Sequence, residues 1–283
     1  MRGLKQKIIE QRLLPEQCAF WYLGQEGILI RHQSEYLVVD PYLSDYVDRN
    51  CCTEQVSWKR LYDPPMRPEM LDFVDYVVLT HDHYDHADPD TIRGILSVNE
   101  KVRFLAPSPI CETLLSYGIP KARLIPARAG EPAACGSFTV RPLPAAHEEL
   151  HPDENGDYRE LCYLIEFGSR RVFHGGDCCL YPGLEEALSD TDVMFLPVNG
   201  RSFYKLQNDI IGNMTAEEAV LLAKRSGAGM LVPIHYDLYE VNRVSEVHIV
   251  DAIERHCPEM KYHLFRVGEG SAERIIIESG KRA

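Results

Sequence analysis

The stretch Thr80-His81-Asp82-His83-Tyr84-Asp85-His86 decides how this chain is read. It follows the apolar run Val77-Val78-Leu79, so it sits on the loop leaving a strand. Its form is H-x-H-x-D-H. Three imidazoles and a carboxylate within six residues are borderline ligands suited to Zn²⁺, Mn²⁺ or Fe. One short loop does not aim all four at a single ion comfortably, so two adjacent metal sites sharing the loop fit better. Further ligands must then come from elsewhere in the chain.

Three residues offer them. His147 ends Leu143-Pro144-Ala145-Ala146-His147, Asp177 ends His174-Gly175-Gly176-Asp177, and His235 ends Met230-Leu231-Val232-Pro233-Ile234-His235. Each is a polar residue just beyond an apolar strand, and strand ends gathered at one sheet edge are where sites collect. A lone histidine there is usually a paired structural one. The recurrence beside H-x-H-x-D-H makes all three expected ligands.

The rest of the chain is ordinary globular sequence. Its 283 residues are 45% hydrophobic and 26% charged, with a formal charge of −13, which excludes disordered and low-complexity classes. The acidic balance argues against nucleic acid as a partner, and no apolar run is long enough for a membrane helix. The opening residues lack the apolar core of a signal peptide, so a cytoplasmic location is expected. Nine cysteines without C-x-x-C spacing read as reduced, mostly buried thiols. Cys178 and Cys179, next to Asp177, either share that burial or line a site.

Strands are expected at 19–23, 27–31, 36–39, 76–79, 103–106, 138–143, 162–167, 171–173, 193–196, 230–234 and 274–277. Helices are expected at 89–98, 108–117, 215–226 and 244–256. The third opens on a capping box, Thr215 with Glu218, and the fourth counts Val244, Val247, Ile249 and Ile253 as apolar positions. This order suggests packed sheets with helices outside, an α/β or α+β fold forming one domain over 1–283. The long polar segment 41–72 carries Tyr46, Trp58 and Tyr62 and reads as a lid or a subunit contact.

H-x-H-x-D-H, a later His, a later Gly-Asp and a final His, in that order, resemble the metallo-β-lactamase fold superfamily from Trp21-Tyr22-Leu23-Gly24 to His235. The resemblance implies a four-layer αββα sandwich with two metals at one edge. It places His81, His83 and His147 on one metal, Asp85, His86 and His235 on the other, and Asp177 between them. Asp40, in Val38-Val39-Asp40-Pro41, matches an aspartate that orients the metal loop. His83 stands where flavodiiron oxidoreductases carry Glu. The best-known β-lactamases use Cys at the second site and lack the His found here at 86.

Pro197-Val198-Asn199-Gly200-Arg201, Tyr204-Lys205 and Ile211-Gly212-Asn213-Met214-Thr215 resemble the L-ascorbate-6-phosphate lactonase branch. Its members are bacterial, cytosolic, manganese-favouring and suggestive of homo-oligomers. The cofactor expected is therefore one or two Mn²⁺ or Zn²⁺ ions. Asn199, Arg201, Tyr204, Lys205 and Asn213 form the expected substrate loop. Arg201 can fork onto a phosphate or carboxylate of a small anionic substrate, and Asn213 precedes a helix N-terminus that favours anions.

Bound metal lowers the pKa of water toward neutrality and so supplies hydroxide for attack on a lactone, ester or amide carbonyl. Asp85 or Asp177 is the expected catalytic carboxylate, holding the water and passing its proton to the leaving oxygen. His151 and Tyr204 are candidate donors to the oxyanion or leaving group, although a surface or packing role suits each. His174 reads equally as support for Asp177 or as buried structure. Three alternatives remain. A phosphodiesterase of nucleotides or cyclic phosphates would use the same metals. An iron oxygenase would use mainly the first set, and a non-catalytic scaffold would bind metal without turnover.

Overall fold

The strands are short and mostly buried, β1, β11 and β12 along their whole length, because both faces of each sheet are covered. The computed structural model describes residues 3–14, 17–268, 271–272 and 274–277. In chain order the strands are β1 (Cys18–Gly24), β2 (Gly27–His32), β3 (Glu35–Val39), β4 (Tyr76–Val78), β5 (Arg103–Pro107) and β6 (Leu124–Ala127). These are followed by β7 (Ala133–Cys135), β8 (Phe138–Pro144), β9 (Leu161–Phe167), β10 (Arg170–His174), β11 (Val193–Pro197) and β12 (Leu231–Ile234). A ribbon of β13 (Val267–Gly268) and β14 (Ser271–Ala272) precedes β15 (Arg274–Ile277). The helices are α1 (Leu4–Glu10), α2 (Tyr46–Asn50), α3 (Pro89–Val98), α4 (Cys111–Ser116), α5 (Leu184–Ala187), α6 (Phe203–Gln207), α7 (Ala216–Arg225) and α8 (Glu246–His256).

Two sheets form, in the orders β15-β1-β2-β3-β4-β5-β6 and β12-β11-β10-β9-β8-β7. The period-2 alternation of β1 shows how they pack. Phe20 and Tyr22 face the second sheet, with Phe20 5.5 Å from Phe195 between ring centroids. Ala19, Trp21 and Leu23 face outward into a layer shared with α1, α3 and α4. Behind the second sheet, α7 and α8 bury Ala219, Val220, Ile249 and Ile253. The layers are therefore helices, sheet, sheet, helices, the four-layer αββα sandwich expected.

All eleven expected strands form, with each end within one residue of its expected position. β6 and β7 were not expected: β6 holds a proline and β7 is three residues of small side chains, so neither carries a strong apolar signature. Helices α1, α2, α5 and α6 are four to seven residues long, too short for a 3.6-residue periodicity to show. The expected helix at 108–117 opens as a 3₁₀ turn at Ser108–Ile110 before α4. The helix expected from 244 starts at Glu246, and Val247, counted there as apolar, is 77% exposed. The capping box of α7 forms: Glu218 N–H donates to Thr215 Oγ1 and Thr215 N–H to Glu218 Oε2. Such a cap is worth ~1 kcal/mol.

Strand direction fixes where the functional residues gather. β3, β4, β5 and β6 run parallel, and β10, β11 and β12 run parallel with β8 in the same sense. Their carboxyl ends share one edge of the sandwich. The β1–β2 hairpin tip, Gly24 to Gly27, reaches the same edge because β1 is antiparallel to β2 and β2 to β3. Tyr163 O–H donates to Leu79 O and Leu161 N–H to Thr80 O, tying the sheets together there.

Candidate metal centre

His81 to His86 lie between the end of β4 and the start of α3, whose first turn is capped by the Asp88 carboxylate accepting from Asp90 N–H. Asp40 shapes this loop from the end of β3. Its Oδ1 accepts from Thr80 N–H at 2.8 Å. Its Oδ2 accepts from the Thr80 hydroxyl at 2.5 Å and from His86 Nδ1 at 2.7 Å. The Thr80 oxygen in turn lies 3.0 Å from His81 Nδ1 and, with its own proton given to Asp40, accepts there. Both imidazoles thus carry a proton on Nδ1, which leaves Nε2 as the atom a metal would take, the standard way an outer partner orients a ligand.

The structure brings the seven expected ligand residues together in two groups. Donor atoms of His81, His83, His147 and Asp177 lie within 4.8 Å of one another, as do those of Asp85, His86 and His235. Asp177 faces both groups. Its Oδ2 is 3.6 Å from His147 Nε2, and its Oδ1 is 3.4 Å from His86 Nε2 and 3.2 Å from His235 Nε2. Asp85 Oδ2 is 3.6 Å from His235 Nε2.

The donors fit divalent cations. His81 Nε2, His86 Nε2 and Asp177 Oδ1 are buried with no hydrogen-bond partner. Such orphaned atoms are costly unless something else binds them. His83 Nδ1 and His147 Nε2 stand 3.3 Å apart, a separation that calls for a shared proton or cation. Nitrogen and carboxylate donors suit Zn²⁺, Mn²⁺ or Fe.

Electrostatics point the same way. Burial alone would raise Asp177, but the imidazoles of His235, His86 and His147 outweigh it and hold the carboxyl below its ordinary range. Burial likewise opposes ionisation of Asp85, and His86 and His235 again win. Burial would lower His86, yet Asp177, Asp85 and Asp40 raise it to about 10, so metal uptake at neutral pH displaces a proton there. His81 is pushed well below its ordinary value, by burial first and then by the neighbouring imidazoles.

The hairpin tip adds two residues that sequence reasoning passed over. Gln25, in a left-handed conformation with φ 56°, sends its amide N–H to Asp85 Oδ2 at 2.8 Å and accepts His235 N–H at its carbonyl. Glu26 is fully buried behind it. His174 Nε2 donates to the Glu26 carbonyl at 2.9 Å, and His174 Nδ1 accepts from Gly176 N–H. His174 thus braces the hairpin against the Gly-Gly turn that delivers Asp177. The signal was two polar residues between Gly24 and Gly27, inside a run of buried apolar strand.

A pocket of about 460 Å³ opens onto the centre. His83, Asp85, His147, Asp177 and His235 form its floor. Val47, Cys51 and Trp58 wall one side, and Asp209, Ile210 and Ile211 another. Segment 41–72 therefore covers the site. Arg159 also lines the pocket, and its guanidinium forks onto Asp82, which sits between two ligand histidines. A larger cavity of about 980 Å³, between Tyr62, Asp237 and Val247, contains none of the ligand residues.

The expected substrate segment, 199–213, lines this pocket through Asp209, Ile210 and Ile211, but none of the five residues expected to bind substrate does. Arg201 is engaged elsewhere: Nη2 pairs with Glu218, and Nη1 donates to Asn213 O at 3.2 Å and to Cys179 Sγ at 2.8 Å. Lys205 is buried, with Nζ on the carbonyls of Asn199 and Gly200, and burial pushes its ammonium down to about 8. Tyr204 O–H donates to Gln55 O on the covering segment. Asn199 and Asn213 are buried away from the pocket, and His151 is exposed outside it. The error was to read cations near the metal edge as pointing into it, when the backbone carbonyls and Glu218 of the same segment claim them. Cys178 and Cys179 are buried free thiols outside the pocket, whereas Cys51 lines it. Arg201→Ala is therefore expected to lower Tm by ~2–4 °C, about 1 kcal/mol for a chain this size. It should leave KM within about twofold; thermal melting and steady-state kinetics check both.

A family model for the β-lactamase superfamily domain matches residues 36–236, a span running from β3 through His235. The chain belongs to the β-lactamase superfamily. Its curated relatives include the uncharacterised protein Rv0906 of Mycobacterium tuberculosis, 30% identical over 80% of this chain and 60% of that protein. Another is N-acyl-phosphatidylethanolamine-hydrolyzing phospholipase D 1 of Caenorhabditis elegans, 26% identical over 77% of this chain and 63% of that protein. The chain thus spans about three fifths of the length of these relatives. Among solved structures, the metallo hydrolase Igni18 of Ignicoccus hospitalis shares the fold. Its TM-score is 0.66 at 21% identity, covering 93% of this chain and all of that one. The span that the family model matches holds all seven donor residues, from His81 to His235. Among the described residues, no helix is long and apolar enough to cross a membrane.

Proposed function

We propose that this superfamily member hydrolyses an anionic lactone or related ester. His81, His83 and His147 would hold one divalent cation, Asp85, His86 and His235 the other, and Asp177 both. The observation carrying the reading is the pocket itself. Its four aspartates, at 82, 85, 177 and 209, are offset by two divalent cations, which leaves the charge of Arg159 to meet the substrate.

When bound, such a cation pair acidifies water into a nucleophile near neutral pH and takes up charge developing on the attacked group. The protein does the rest. Arg159 can offer further N–H donors to a carboxylate or phosphate while Asp82 keeps its plane fixed. Val47, Trp58, Ile210 and Ile211 exclude water on the apolar side of the substrate. Asp85, held by the Gln25 amide, lines the pocket and can take a proton from the attacking water and hand it to the leaving oxygen. The substrate anion is assigned to Arg159, not to Arg201 or Lys205. A second reading, phosphodiester cleavage, is favoured by the apolar wall and by the relative named as a phospholipase D.

The test strips the protein of metal and reconstitutes it with Mn²⁺ or Zn²⁺. The substrates offered are L-ascorbate 6-phosphate, a carboxylate-bearing lactone, the neutral lactone dihydrocoumarin and bis(p-nitrophenyl) phosphate. Metal-dependent opening of an anionic lactone is expected. Arg159→Ala should raise its KM by ~10–100-fold, the worth of a charged hydrogen bond, and spare dihydrocoumarin. Cleavage of the phosphodiester alone would overturn the substrate class in favour of the second reading.

A further inference from the structure

The chemistry described so far leaves Glu26 unused, and its surroundings are unusual. The tip of the β1–β2 hairpin turns through two left-handed residues, Gly24 at φ 98° and Gln25 at φ 56°. A non-glycine residue held there marks a backbone fixed by its surroundings. A Cβ added at Gly24 would lie 3.1 Å from the Tyr62 ring, so this turn is closely packed from above. The result is that Gln25 and Glu26 point into the interior with no exposed surface at all.

Neither carboxylate oxygen of Glu26 has a hydrogen-bond partner. His174 Nε2 stands 3.6 Å from Oε2, but its hydrogen goes to the Glu26 carbonyl instead. A carboxyl buried without a partner is a heavy cost for a fold to carry, and it calls for something not yet placed beside it.

Two sets of donor atoms include Glu26. One joins it to Asp40 and His174, the other to Asp177 and His235, each within 4.8 Å. The first set has nothing to give. Asp40 accepts from Thr80 and His86 with both oxygens, and both nitrogens of His174 are engaged. The second set is the more open: His235 Nε2 has the Gln25 amide 3.1 Å away, but Asp177 Oδ1 has no hydrogen-bond partner and faces both His86 and His235. We propose that Glu26 is a further carboxylate of the second metal group, reaching it from the buried side, opposite the pocket. It joins Asp85 and Asp177 there, an oxygen-rich environment that favours a harder cation such as Mn²⁺ over Zn²⁺.

This inference rests on the ligand assignment above, so the experiment separates the two. Chelator-stripped protein is titrated with Mn²⁺, free ion being followed by electron paramagnetic resonance, and melted with and without Mn²⁺. The variants are Glu26→Gln, which is isosteric, Glu26→Asp, which keeps a carboxylate, and Asp177→Asn as the control. The parent should take up two Mn²⁺. Glu26→Gln should weaken the second by ~10–100-fold, with Glu26→Asp recovering part of the loss. Metal-free Glu26→Gln should melt no lower than the metal-free parent, so that the rise in Tm on adding Mn²⁺ shrinks. Equal loss of Tm with and without metal would mean a purely structural role and overturn the proposal. Parent-like Mn²⁺ affinity in Glu26→Gln, with loss in Asp177→Asn, would overturn it alone. Retention of both ions by Asp177→Asn would overturn the ligand assignment and the proposal together.

Discussion

Asp177→Asn should lower kcat by more than ~100-fold and strip metal from both groups. Altering an outer partner typically costs 10–100-fold, and Asp177 is placed to do more, since its two oxygens face different groups. Oδ2 approaches His147, and Oδ1 approaches His86 and His235. Asparagine keeps the size and one oxygen but loses the charge that both groups share. Metal content by mass spectrometry and turnover on the reconstituted protein read the effect. Two tightly bound ions with turnover within tenfold of the parent would show that Asp177 is not shared. The metal-free protein gives an independent check. Against its burial, His235, His86 and His147 hold the Asp177 carboxyl below its ordinary value. That stabilisation is present above the unfolded pKa of ~3.9 and is lost as pH falls through the depressed folded value. Metal-free Asp177→Asn should therefore melt below the metal-free parent at pH 7, and the gap should narrow on acidification below pH ~4.

How much of this was legible in the sequence depends on how local each signal is. H-x-H-x-D-H needs no tertiary knowledge, because its donors sit within six residues of one another. His147, Asp177 and His235 were found because each directly follows an apolar strand, and parallel strands deliver their ends to one edge. Asp40, at the end of β3, came from the family resemblance alone. The pocket lining failed that logic. Arg201 and Lys205 are near the edge in sequence, but a side chain goes where its hydrogen bonds are, and theirs are to Glu218, Asn199 and Gly200. Arg159 lies twelve residues past His147, ahead of β9, and reaches the pocket only because Asp82 draws it in. Gln25 and Glu26 were hidden for another reason. A Gly-Gln-Glu-Gly hairpin tip reads as an exposed turn, and only the left-handed conformation of Gln25, set by packing from Tyr62 and Asp237, turns it inward. Tyr22 O–H reaches both Asp237 at 2.8 Å and the Gln25 carbonyl at 3.2 Å, and Tyr62 O–H also donates to Asp237 at 2.8 Å.

Asp40→Asn isolates the outer support of the loop from the ligands themselves. Asp40 has φ 42°, a left-handed conformation that asparagine tolerates as well as aspartate does, so the change adds no backbone strain. It also preserves volume. What it removes is acceptance on both sides at once. Thr80 N–H donates to one oxygen, and the Thr80 hydroxyl and His86 Nδ1 donate to the other. An amide presents one oxygen and one N–H₂. Whichever way it turns, N–H₂ meets donors. If it faces Thr80 N–H, a buried donor is left unmatched, at about 1–3 kcal/mol. If it faces His86, the imidazole must move its proton to Nε2, and the lone pair offered to the second group is gone. The first outcome lowers Tm by roughly 2–12 °C, and the second weakens metal binding at the second group by ~10–100-fold. Mn²⁺ titration alongside thermal melting distinguishes them. His81 hangs on the Thr80 oxygen, which accepts from it because the hydroxyl proton goes to Asp40, so the first group should keep its ion in the first outcome and weaken with the second group in the other. Parent-like binding of both ions with an unchanged Tm would mean that these three hydrogen bonds do not support the centre.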